Sequence, residues 1–149
     1  MSLSNTSESN LLLLLFNNTN WANVGDATGL RGSTTAGSFY VGLHTADPGE
    51  TGTQTTSETS YTNYARIAVA RSAGGWTVSG TAPTQAANTS SVTFAACGVT
   101  GATLTHFTVG VNSAGAGEAL WYGALTSNLT VSSGITPAFS AGQLALTMD

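Results

Sequence analysis

Large apolar residues alternate with small polar ones along most of this chain, and that alternation restricts what it can fold into. Phe39, Val41 and Leu43 alternate with Tyr40, Gly42 and His44, and Phe107, Val109 and Val111 alternate with His106 and Thr108. A period of two sends one set to one face of a strand and the other set to the opposite face. Further strands are predicted at residues 64–71 (Ile67 and Val69 inward), 76–78, 92–96, 119–125, 129–131, 135–139 and 144–148. Turn residues punctuate them, as at Asp47-Pro48-Gly49, Gly74-Gly75 and Ser132-Ser133-Gly134. Strands at a spacing of roughly 8–12 residues are the pattern of a sandwich or barrel. No helical pattern lies between them, which excludes βαβ units and a parallel sheet. The expected fold is a single all-β domain at residues 25–149. It would be a β-sandwich of jelly-roll type, with about eight or nine antiparallel strands.

Local signals add detail. Gly74-Gly75 is expected to fold residues 64–71 and 76–78 together as a hairpin. Residues 79–89 read as loop. Residues 49–60 are nearly all Gly, Thr, Ser, Gln and Glu, and read as an exposed loop with nothing to bury. Cys97 stands alone beside Ala95, Ala96 and Gly98 and reads as a small buried hydrophobe.

Residues 1–24 form the chain's one helix candidate, a short helix or arm ahead of the β-domain. Asn5 with Glu8 three places on can start a helix as a capping box. Leu11, Leu14, Leu15, Asn18 and Ala22 then keep helical spacing from Thr6 to about Asn23, with Leu12, Phe16 and Trp21 widening the apolar face. Asn17, Asn18 and Asn20 are poor helix formers and favour an early stop. Leu11, Leu12, Leu14, Leu15, Phe16 and Trp21 are the candidate partner-binding residues. Each large apolar side chain gains about 1.5–3 kcal/mol on burial, so the stripe closes its own domain or plugs into a neighbour. If it plugs into a neighbour, deleting residues 1–16 should abolish attachment and leave the β-domain folded.

Charge is scarce. Only 7% of residues are charged, none is lysine, and 25 threonines and 17 serines supply the polarity instead. A formal charge of −4 lacks the basic footprint of a nucleic-acid binder. The longest apolar run, residues 11–16, is too short for a membrane helix, which needs about 20 residues. No basic residue precedes it, so no signal peptide and no membrane association are expected. Charged edges normally keep β-sheets from pairing with one another. A chain this poor in charge must hide its edges by closure, by oligomerisation or against a partner. That favours life in an assembly, with copies of itself among the partners.

The chemistry-bearing residues are few. His44, Asp47 and Glu50 lie close in sequence, with His44 on the outward parity of its strand. A metal site needs three or four converging ligands, and a turn-stabilising hydrogen bond is the better reading. No metal or other cofactor is expected. His106 reads as a satisfied strand histidine. No Gly-x-Ser-x-Gly elbow accompanies the two histidines, so the chain does not read as an enzyme. Arg66 lies in a predicted strand and should pair with a carboxylate, Glu58 or Asp47, in a structural role or at a subunit contact. Tyr40, Tyr61, Tyr64, Trp76, Trp121 and Tyr122 could stack on sugars, but core and interface packing is the simpler expectation.

Several stretches carry a resemblance: NLLLLLF at 10–16, YVGLHTADPGE at 40–50, YTNYAR at 61–66, RSAGGW at 71–76, LTHF at 104–107 and ITP at 135–137. Together the chain resembles a family of small proteins from tailed bacteriophages and prophages, labelled tail-fibre or virion structural proteins. The resemblance implies a virion protein made in the host bacterial cytoplasm, with a capsid or tail protein as partner. A compact β-domain with an arm, and without a shaft of repeats or a coiled coil, favours capsid decoration (a cement protein on the head exterior, bound as an oligomer). A tail-fibre or tail-tip component that binds a host glycan or receptor is the alternative.

Overall fold

The computed structural model describes residues 3–80 and 84–148. The described chain is mostly β, with antiparallel sheets and one short N-terminal helix, as the alternation implied. Its contacts divide into two compact units.

The first unit lies within residues 1–38, 69–91 and 139–149. Helix α1 spans Asn5–Asn17. Ser4, not Asn5, caps it, and the Ser4 hydroxyl accepts from the Ser7 N–H at 3.3 Å. Glu8 does not reach back to the cap. It is buried in the first turn, where the helix dipole favours a carboxylate, and its Oε2 accepts from the Thr84 hydroxyl at 3.0 Å. The helix ends well before Asn23, because Asn18 turns left-handed (φ 55°) and its N–H bonds back to the Leu13 carbonyl. Asparagine tolerates that conformation better than most residues. The last turn carries no basic residue of its own. Arg71 supplies the cation from elsewhere in the unit, donating to the Leu14 and Leu15 carbonyls and to Ala36. These carbonyls are among those a helix end leaves unpaired.

The helix packs on a three-stranded sheet of order β3-β4-β9. Strand β3 is Trp76–Ser79, β4 is Thr84–Asn88 and β9 is Ala145–Met148. Leu12 and Phe16 are fully buried, and the Phe16 ring meets Trp76 edge-on at 4.8 Å between centroids. Two sequence expectations change here. Residues 84–88, expected as loop, form the central strand, and β3 pairs with it instead of with residues 64–71. Asn88 explains part of this. Its amide donates to Ser90 and Ser140, and its Oδ1 accepts from Leu144 N–H at 2.8 Å, which ties the C-terminal segment to β4.

The second unit lies within residues 39–68 and 92–138. Its main sheet has the order β2-β1-β6-β7. Strand β1 is Ser38–His44, β2 Ile67–Ala70, β6 Ala102–Gly110 and β7 Ala119–Val131. Strand β2 runs on from this unit into residues of the other. Strands β5 (Val92–Thr93) and β8 (Ala138–Phe139) form a two-stranded ladder. Strand β7, at 13 residues, is the longest of the described strands. Its pairing with β6 slips twice. Leu120 has no opposite number between Ala119 and Trp121, and residues 125–128 stand against Thr105 alone. Bulges twist an edge away from further pairing. They protect this edge strand without charge, a device that charge counting does not reveal. Cys97 is buried, as expected.

Candidate functional site

The second unit's polar residues gather where loop 45–66 folds back over β1. Thr59 N–H donates to the Leu43 carbonyl, Thr45 N–H to Ser57, and the Tyr64 hydroxyl accepts from Leu43 N–H at 3.0 Å. The expectation that residues 49–60 bury nothing is therefore corrected. Gln54 is fully buried and Thr59 nearly so. Backbone hydrogen bonding is what makes burying so polar a loop profitable. Gln54 N–H donates to Gly117 O, its Oε1 accepts from Asn112 N–H at 2.9 Å, and its Nε2 reaches Tyr40 O. A side chain at Gly110 would collide with the Gln54 side chain and the Glu118 carbonyl. Gly110→Ala should therefore cost about 1–3 kcal/mol by overpacking, read as a lower midpoint in urea with an unchanged slope.

His44 is corrected for the same reason. Its outward side faces the loop instead of water, and it is fully buried. Nδ1 lies 2.8 Å from the Thr56 carbonyl, which can only accept, so Nδ1 carries the proton. Nε2, 2.9 Å from the Thr108 hydroxyl, then accepts. Burial holds the imidazole below its ordinary pKa, against smaller opposing effects of the Thr56 bond and Glu58, while Arg66 and His106 lower it further. The folded state thus disfavours His44⁺. As pH falls below about 6.5 the unfolded chain takes up a proton the folded chain refuses. Stability is lost from there down to the lowered folded value, at up to about 1.4 kcal/mol per pH unit. Chemical denaturation at pH 7 and pH 5 should show that loss, and His44→Asn should reduce it.

Arg66 lies just before β2, not within a strand, and of the two carboxylates the sequence offered, Glu58 and Asp47, it binds Glu58. Nε donates to Oε1 at 2.6 Å and Nη2 to Oε2 at 2.7 Å, a bidentate pair. Nη1 donates to Asn112 O and Nη2 also to Gly115 O, so one guanidinium holds loop 58–66 against turn 112–117. The Tyr64 hydroxyl donates to Glu58 Oε1 at 2.9 Å, and burial raises its pKa strongly.

Between this loop and turn lies a half-open groove of about 510 Å³. Glu58, Thr59, Tyr64, Arg66, Asn63 and Ser113 are among its walls.

The other nominated residues scatter. Asp47 is exposed and accepts from Gly49 N–H at 2.9 Å, a turn bond, and Glu50 is exposed. Among the described residues no three metal-ligating side chains converge. His106 bonds Thr105 Oγ1 at 2.8 Å. In the first unit, Leu11, Leu14, Leu15 and Trp21 are half-buried beside the buried Leu12 and Phe16. Of the six aromatics, Trp76 and Tyr61 are buried and Tyr122 is the most open. Sequence reasoning missed Gln54, Asn88 and Thr108. Their polarity reads as surface, and only long-range hydrogen bonds make burial of such groups tolerable.

The described fold is thus a small antiparallel β structure in which His44, Glu58 and Arg66 hold the loop over β1 and the turn beside it. A family model described as podophage GP4 fiber I protein gp80 matches residues 2–147, and the chain belongs to that family of tailed-phage virion structural proteins. It is a virion component. Among curated proteins nothing matches. Among the described residues no helix is long and apolar enough to cross a membrane.

Proposed function

We propose that this protein is a non-enzymatic component of the phage tail fibre that meets the host surface, in preference to a head-decoration protein. The observation that carries the reading is the match of nearly the whole chain to a family described as fibre proteins. The apolar stripe of α1 supports it. An arm that anchors to a capsid must offer its large side chains to a neighbour, and here Leu12 and Phe16 are covered by the chain's own β3 and β4. Self-association and contact with a tail protein belong to the same proposal, since a fibre is assembled from several chains. The test is competition. Purified protein, added to host cells before phage, should bind the cells and slow phage adsorption. Unchanged adsorption at saturating protein, with no protein retained on the cells, would count against it.

A further inference from the structure

We propose that the groove between loop 58–66 and turn 113–115 binds an uncharged, hydroxyl-rich ligand, a neutral saccharide of one to three rings. This deepens the fibre reading and rests on it for its biological setting, though the binding itself does not. Size comes first: about 510 Å³ lies within the roughly 300–1,000 Å³ of small-molecule sites. The charge in the walls is balanced. Arg66 and Glu58 face each other as a bidentate pair, so the groove offers no net charge to a phosphate, a carboxylate or an ammonium group. The pair is not exhausted. Arg66, its side chain only 2% exposed, is spent within the wall on Glu58, Asn112 and Gly115, whereas Glu58 is 17% exposed and its Oε2 accepts from Arg66 Nη2 alone. A carboxylate with acceptor capacity left suits groups that donate a proton, as sugar hydroxyls do.

The rest of the lining has the same character. Ser60, Asn63 and Ser113 are exposed neutral polar residues on the groove. Asn63 is held at φ 80°, a conformation rare outside glycine, in the middle of the lining loop. The Thr59 hydroxyl is buried in the same wall with no hydrogen-bond partner. Buried hydroxyls nearly always have one, and a ligand hydroxyl is a partner of the right kind. Tyr64, half-buried, brings the one partly open ring to the groove.

The experiment is saturation-transfer NMR on the full chain, with a panel of neutral oligosaccharides and, as charged comparison, sialylated and phosphorylated ones. Neutral members should bind, and Ala114→Trp, which fills the groove from an exposed position, should abolish the signal. Ala65→Trp, from the opposite wall, carries the same test if Ala114→Trp fails to fold by circular dichroism. No binding by any neutral member, binding confined to charged ones, or binding that survives both tryptophans would overturn the proposal. The outcome is independent of where the protein sits on the particle. A saccharide-binding protein found on the head would refute the fibre reading alone, and a fibre protein with an inert groove would refute this inference alone.

Discussion

Arg66→Ala should lower the unfolding free energy by about 3–5 kcal/mol, the cost of leaving a buried carboxylate without its partner. Its side chain is 2% exposed and that of Glu58 17%, so water cannot replace what is lost. The same guanidinium holds the Asn112 and Gly115 carbonyls, and these lose their donors together with Glu58. Against a total stability of about 5–15 kcal/mol, such a loss is large. It should show in urea unfolding as a much lower midpoint. The double variant Arg66→Met with Glu58→Leu should recover a good part of it, because an apolar pair of similar volume does not strand a charge. A loss under about 1 kcal/mol in the single variant is what an exposed pair gives, and it would contradict the burial described for the site.

The second large effect concerns α1. Phe16→Ala should cost about 3–5 kcal/mol, since a fully buried aromatic leaves both lost transfer energy and a cavity. Because Phe16 packs on Trp76, the loss should appear in hydrogen exchange as faster opening of α1, β3 and β4. Removing residues 1–16 is the extreme case. It should unfold the first unit, uncovering the Trp76 on which Phe16 packs. That reverses the sequence-based expectation of an intact β-domain after deletion. Lost attachment in that variant would report unfolding, not a missing anchor. Phe16→Ala with unchanged stability and exchange would show that the helix is not part of the unit.

The two sites differ in how much of them a reader of the sequence could see. The Leu and Phe stripe announces a helix that must dock, and alternation around Val41 and Val109 announces strands with one buried face. Both are local signals, set by side-chain period. Strand β4 has no such signal. TQAAN has one β-branched residue, Thr84, and no aromatic, and it becomes a strand through Asn88 and the partners on either side. Residues 53–59 show the same limit. Their Gln and Thr side chains look solvated until the distant Asn112, Gly117 and Leu43 are known to face them. Parity misplaced His44 because it assumes that one face of a strand is wet, and here a returning loop covers it. The Arg66–Glu58 pair was legible for a different reason. With only seven carboxylates in the chain, an arginine in a low-charge domain has few partners, and nearness in sequence narrowed them to Glu58 and Asp47.

Immunogold electron microscopy of intact virions, with an antibody against this chain, tests the fibre reading most directly. Gold is expected at the tail and its fibres, at a few positions per particle. Regular labelling over the surface of the head, with none at the tail, would contradict it.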